Sequence, residues 1–341
     1  MIKGNNCYIF VPNDPRIKNN SIFDATIDPN FSIFSTLKNY FDSHGVELQT
    51  VDLGNLTQND LIICFDVPHP WNTTAWNIIR QTQAKKILII FEPPVVNPFN
   101  YLNSFRNNFD LILTWDDDTV NNKNILKYHW PQSNKNLNYK AISFKSKKLL
   151  SLMNGNKLPF FLFGPLVRKG KELYSERIKV IEWFEKNHPE EFDLYGVGWN
   201  QKKKYNLTEL LFGSKIYNTY RGKVDDKIQT ISQYKFSICF ENMSNINGYM
   251  TEKIFDCLKA RTVPIYWGAA NIGKYIDTKC FIDYRNFKSL DELYLCITEM
   301  GEKEYQKYID CIENQLKNEK FLSTWFEQGF AKYLFEIIKT K

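Results

Sequence analysis

The sequence predicts an α/β protein made of two Rossmann-like domains that face one another across a cleft. Two observations carry this. Short runs of aliphatic, β-branched and aromatic residues alternate with segments of helical periodicity along most of the chain, the pattern of strands and helices around a parallel sheet. The alternation breaks in a polar, Lys- and Asn-rich stretch from Ser133 to Lys157 and then resumes. A chain of 341 residues has room for two domains of roughly 150 residues each. The first is expected over residues 1–150, the second over 158–318, and an amphipathic helix over 319–341.

In the first half, strands are expected near Cys7–Val11, Leu61–Phe65, Ile87–Phe91 and Leu111–Thr114, with helices near Ser32–Ser43, Thr74–Gln81 and Phe99–Asn107. After the polar stretch come a strand at Phe160–Phe163, a helix at Lys171–Asn187, a strand at Phe192–Tyr195 and a helix at Asp226–Gln233. In the last segment, Phe321–Ile338, residues Leu322, Trp325, Phe326, Phe330, Leu334, Ile337 and Ile338 recur at helical spacing. Such a helix packs back on the first domain or, given the lysines around it, docks on a membrane surface.

Forty-four basic and 38 acidic side chains leave a net charge of +6, too modest at this length to demand nucleic acid, and no RNA- or DNA-binding motif is evident. Lysine clusters at Lys145, Lys147 and Lys148 and at Lys202 to Lys204 read as solvated surface, or as facing lipid headgroups or a diphosphate-linked acceptor. The seven Cys stand singly, without a CxxC pair, and an odd count argues against a closed disulfide framework. The apolar run at the N-terminus is too short for a signal peptide, and no segment approaches the roughly 20 apolar residues that span a bilayer. A cytoplasmic protein, soluble or peripheral on the inner face of the membrane, is the expectation. The sequons at Asn55, Asn72, Asn206 and Asn242 are then incidental.

The most informative stretch is Tyr234 to Gly268. Lys235–Phe240 reads as a buried strand, Glu241–Gly248 as a polar loop, Met250–Ala260 as a helix and Thr262–Trp267 as a second strand. Thr251, Glu252 and Lys253 fall in the first turn of that helix. Free amides and the positive dipole end favour an anion there, so a Lys at that point suggests a phosphate ligand, and Glu252 can accept two ribose hydroxyls. Gly268 lets the chain pass closely by whatever the loop holds. The bland alternative is an ordinary βαβ unit with a solvated helix end.

The order Phe-Glu-Asn, a short loop, Gly-Tyr-x-Thr-Glu-Lys and then Pro-Ile-Tyr-Trp-Gly closely resembles the signature of the α-1,3/4-fucosyltransferases, glycosyltransferase family 10, in its bacterial form. The likeness is strong from about Leu173 to Gly268, and one short motif matches in the first half. It implies the GT-B arrangement, with an acceptor-binding first domain and a nucleotide-sugar-binding second one. It also implies an inverting transfer of fucose from GDP-fucose to an oligosaccharide or lipid-linked saccharide of the surface-glycan type. No cofactor beyond the donor is implied, with Mn²⁺ or Mg²⁺ at most stimulating.

Inverting transfer needs a base on the acceptor hydroxyl and positive charge at the departing diphosphate. Glu92 is the candidate base: in LIIFEPPVVNP an apolar strand ends in a carboxylate, and two prolines turn the chain out into a loop. A structural strand-end Glu is the alternative. The family's counterpart is the Glu of a Phe-Glu-Ser-Pro element, with Pro93 here in place of the Ser. The resemblance places Arg177 and Lys253 on the diphosphate, Glu252 on the ribose, and Asn242 and Tyr249 in the donor pocket, although the loop between the last two is one residue longer than in some bacterial members. Arg168, Lys169 and Lys171 could contribute beside Arg177, and Glu241 reads as structural. His69, in DVPHPW, is a candidate for the acceptor cleft. Asp116, Asp117 and Asp118 imitate a metal-binding Asp-x-Asp element but read better as solvated surface, so no metal site is assigned. The alternatives are another GDP-sugar as donor and a catalytically inactive carbohydrate- or nucleotide-binding relative.

Overall fold

The computed structural model describes residues 6–28, 31–160, 162–167, 169–199 and 216–340. Strands β1 (Cys7–Phe10), β2 (Leu48–Thr50), β3 (Leu61–Phe65), β4 (Lys85–Ile89), β5 (Leu111–Thr114) and β6 (Ile125–Lys127) form one sheet in the order β2-β1-β3-β4-β5-β6. The second domain supplies β7 (Lys148–Met153), β8 (Lys171–Glu172), β9 (Phe192–Tyr195), β10 (Tyr220–Gly222), β11 (Tyr234–Phe240), β12 (Met243–Ser244), β13 (Val263–Trp267) and β14 (Ile282–Asp283). Its sheet runs β10-β9-β7-β11-β13-β14, while β8 and β12 form a small antiparallel pair. Every pairing in the two large sheets is parallel. Parallel strands are covered by helices on both faces, which is why Leu61–Phe65 is buried at all its positions and reads as an unbroken apolar run.

Counted within its own domain, the second sheet has the order 3-2-1-4-5-6 of dinucleotide-binding folds, with the order reversing between β7 and β11. In the first sheet it reverses between β1 and β3. Crevices open outside the carboxyl ends of the strands at such points. The chain leaving β3 and β11 there carries Asp66 and Glu241.

The polar stretch from Ser133 to Lys157 hides the central strand of the second sheet. β7 is flanked by lysines, yet Leu150 and Leu152 are wholly buried. Strands β2, β6, β10 and β14, two or three residues each, are too short to show a period. The strand expected at Phe160–Phe163 does not form among the described residues, which exclude Phe161. The Phe160 amide instead donates to the Val95 carbonyl (2.8 Å), and Phe163–Leu166 is a single helical turn. The helix expected at Phe99–Asn107 is split at Leu102, whose backbone is extended. Lys147 is buried rather than solvated, donating to the carbonyls of Tyr234 (3.2 Å) and Arg261 (2.6 Å), and burial pushes its pKa down to about 7. Arg168 and Lys202 to Lys204 lie outside the described residues.

The terminal segment forms two helices, Glu319–Trp325 and Glu327–Thr340, parted by an extended Phe326. Phe321, Trp325 and Phe326 belong to the core of the second domain. Phe330, Leu334, Phe335, Ile337 and Ile338 belong to the core of the first, where Phe335 meets the ring of Phe41 from the helix Ser32–Ser43 edge-on at 5.3 Å. The chain therefore crosses between domains at Gln132 and returns at Phe326. The two crossings are paired: Gln132 N–H donates to Trp325 O (2.8 Å), and Glu327 N–H to Gln132 O (2.9 Å). Among the described residues no helix is long and apolar enough to cross a membrane.

Candidate active site

The switch points of both sheets open onto one cleft of ≈ 930 Å³. Asp66, His69 and Glu92 line it from the first domain, and Lys227, Glu252 and Asp256 from the second.

Glu92 stands where β4 gives way to two prolines that cannot continue the ladder. Its backbone is gripped from both sides. Asp66, in the left-handed region at φ 64°, accepts through Oδ1 from the amides of Phe91 (2.8 Å) and Glu92 (3.0 Å) and from Asn100 Nδ2 (2.6 Å). The Glu92 carbonyl accepts from Asn100 Nδ2 and from the Tyr101 hydroxyl, both at 3.1 Å. Burial and then the Asp66 carboxylate push the Glu92 pKa up to about 7, against the pull of Lys157 and Lys253. Burial likewise raises Asp66, to about 6, against the three hydrogen bonds it accepts. Asp66 carries the same sequence signal as Glu92, a carboxylate closing an apolar strand; Asn100 carries none.

Across the cleft, Glu252 opens the helix Glu252–Lys259. Burial opposes its ionisation, but Lys253 and Lys227 more than offset that and hold its pKa down at about 2. Two carboxylates thus share one space with opposite protonation behaviour, the arrangement that separates a base from a permanent anion.

The free helix start expected at Thr251 is already occupied. The wholly buried Glu241 carboxylate accepts from the Thr251 amide (2.7 Å), the Thr251 hydroxyl (2.6 Å) and Lys253 Nζ (3.3 Å). The anion that the Lys signalled is, at that amide, a side chain of the protein itself. Gly268 is required beside it, since a Cβ there would run into Glu241 Cγ and the Tyr266 hydroxyl.

Arg177, from the helix Tyr174–Asn187, is buried and donates through Nη2 to the carbonyls of Phe240 (2.8 Å) and Glu241 (2.6 Å) and to Asn242 Oδ1 (3.0 Å). Tyr249 is buried against Trp115 of the first domain, ring centroids 4.6 Å apart. Arg177, Asn242, Tyr249 and Lys253 therefore sit behind the cleft wall, whereas Glu92, Glu252 and His69 line it. Arg177 Nε and the Tyr249 hydroxyl are buried without a hydrogen-bond partner among the described residues, two polar groups in reserve.

His69 has its amide tied to Asn13 Oδ1 (3.0 Å), and burial lowers its pKa, so the ring is neutral at pH 7. It lies 5.0 Å from the ring of Trp71, which is 56% exposed and stacks on Phe160. The acidic run Asp116–Asp118 is not free surface; it ties the domains together. Asp116 pairs with Lys169 (2.5 Å), Asp117 accepts from Asn271 Nδ2 and the Tyr275 hydroxyl (both 2.7 Å), and Asp118 accepts from Asn247 Nδ2 (2.9 Å). Among the described residues, the cluster with metal-ligand spacing is His188, Glu190 and Glu191. It lies away from the cleft.

Residues 171–329 match the family model described as glycosyltransferase family 10 (fucosyltransferase), C-terminal. The match covers a little under half of the chain. The chain is 42% identical over 80 residues to the α-(1,3)-fucosyltransferase FucT of Helicobacter pylori, covering 24% of this chain and 16% of that relative. It is 24% identical over 263 residues to the human GDP-fucose protein O-fucosyltransferase 3, covering 75% of this chain and 48% of the relative. The chain thus spans less than half the length of these curated relatives. A solved α1,3-fucosyltransferase with GDP superposes with TM-score 0.56 at 18% identity, covering 100% of this chain and 91% of that one. WaaG, a glycosyltransferase involved in lipopolysaccharide biosynthesis, gives 0.52 at 9% identity, covering 96% and 98%. At these identities the likeness is one of fold, and that fold is GT-B.

Proposed function

We propose that this chain is an inverting, metal-independent fucosyltransferase that moves L-fucose from GDP-fucose to a saccharide hydroxyl. The observation that carries the reading is the pairing, within one interdomain cleft, of Glu92, poised near neutrality, with Glu252, ionised at any working pH. Glu92 takes the proton of the acceptor hydroxyl as that oxygen bonds to the anomeric carbon. The bond from that carbon to the β-phosphate oxygen breaks on the opposite face, and GDP leaves. Lys253 and Arg177 supply positive charge from behind the wall on which the diphosphate lies, Glu252 accepts from the ribose hydroxyls, and Asn242 and Tyr249 back the donor pocket.

An acceptor of the oligosaccharide or lipid-linked type is supported by His69 and Trp71 on the first-domain side. An exposed indole beside a neutral imidazole offers a face for a sugar ring and a hydrogen-bonding edge. A cytoplasmic setting on the inner face of the membrane, in surface-glycan synthesis, completes the proposal.

The test is a panel of GDP- and UDP-sugars scored by nucleotide release, with and without chelator. Release from GDP-fucose, insensitive to chelator, is the expected result. Response to another GDP-sugar changes the sugar. Response only to UDP-sugars overturns the donor assignment, and nucleotide binding without release in every acceptor tried points to an inactive relative.

A further inference from the structure

The mechanism above gives no role to Asp66, a carboxylate that lines the cleft from the same sheet edge as Glu92. Asp66 is held in a backbone conformation that costs a non-glycine residue energy, and what that conformation achieves is specific. It aims one oxygen at two successive amides, those of Phe91 and Glu92, and at Asn100 Nδ2, which in turn donates to the Glu92 carbonyl. The last strand residues before both carboxylates are paired neighbours, since β3 and β4 run side by side with Phe65 opposite Ile89. The two acids therefore leave one sheet edge together and meet on one cleft wall.

We infer that Asp66 is a positioning residue for Glu92: it fixes the backbone from which Glu92 projects, and its own negative charge sets how tightly Glu92 holds the acceptor's proton. This rests on Glu92 being the base. A carboxylate beside another cannot ionise as readily as one alone, and the two titrate as a pair. The remaining groups around Glu92 are Lys157 from the interdomain segment, Glu252 and Lys253 from the signature helix, and the hydroxyls of Tyr128, Tyr174 and Tyr249. The tyrosines all have raised pKa values and stay neutral. Around Asp66 stand Cys64, Tyr101 and Tyr128, also raised and neutral. Asp66 is thus the negative charge with the largest effect on Glu92, ahead of Glu252.

The experiment titrates side-chain carboxyls by carbon-13 NMR in the wild type, Asp66→Asn and Glu92→Gln, with Glu92 assigned by its loss in the last. Asparagine tolerates the left-handed backbone and its oxygen can keep accepting the three bonds, so the substitution removes charge and leaves geometry. Glu92 should titrate about one unit lower in Asp66→Asn, and the rising limb of nucleotide release from GDP-fucose against pH should move by the same amount with an unchanged donor KM. Reciprocally, Asp66 should titrate lower in Glu92→Gln, a readout that survives even if Asp66→Asn does not fold. An unshifted Glu92 in a folded Asp66→Asn, or an unshifted Asp66 in Glu92→Gln, overturns the inference. A wild type with coupled titrations but no release from GDP-fucose leaves the pair standing and rejects the proposed function instead.

Discussion

A raised carboxyl pKa is a statement about stability as well as chemistry. Glu92 titrates at about 7 in the fold against 4.5 free, so the folded state binds this proton more tightly than the unfolded chain. Its contribution to stability is full below about 4.5 and is lost as pH rises through about 7. Activity runs the other way, since only the ionised form can accept a proton. Glu92→Gln should therefore lower transfer by at least ~100-fold while GDP still raises the melting temperature. Relative to wild type, its Tm should rise between about pH 4.5 and pH 7 and level off above. Calorimetry across that window checks the sign, and a variant with near-normal turnover would remove Glu92 from the mechanism. Glu252 makes the contrast: held at about 2 by its lysine neighbours, it gives no pH dependence in the same range.

At the scale of elements, the signature loop does two jobs that its sequence announces as one. Residues 241–252 read as a nucleotide loop, and Glu252 does reach the cleft. The same loop also packs Met243, Ile246 and Tyr249 into the core of the other domain. Gly248 is the close point: at φ 80°, a Cβ there would strike the Trp115 carbonyl oxygen and crowd Lys127 Nζ. Gly248→Ala should cost about 1–3 kcal/mol, measurable as a shifted denaturation midpoint, and should loosen the domain contact. Periodic segments such as Ser32–Ser43, Leu61–Phe65 and Phe192–Tyr195 were legible because an apolar face or run stands out over several residues. β7 was not, because its lysine flanks and the polar stretch around it masked two buried leucines. The placement of Glu92 and Glu252 on the cleft was legible from type and position. The occupation of the helix start by Glu241 and the burial of Arg177 and Tyr249 were not, because both depend on long-range packing that spacing does not encode. The acidic run misled for the same reason: its partners in the other domain, Lys169, Asn247 and Asn271, lie more than fifty residues away in the chain.

At the scale of the whole molecule, the domains are joined by the Asp116–Asp118 ties, by the signature loop and by the return of the chain at Phe326. Leu334, wholly buried where the terminal helix meets the first domain, is the position to probe this. Leu334→Ala should cost about 2–5 kcal/mol, and limited proteolysis should cut the first domain sooner than the second; equal susceptibility would mean that the helix is not part of that core. Since the helix 327–340 completes the hydrophobic interior of a domain whose strands come from residues 7–127, that domain cannot finish closing before those residues have been made. During synthesis the second domain can assemble first, while the first waits, its apolar surface open to chaperones, until residues 327–340 emerge from the ribosome.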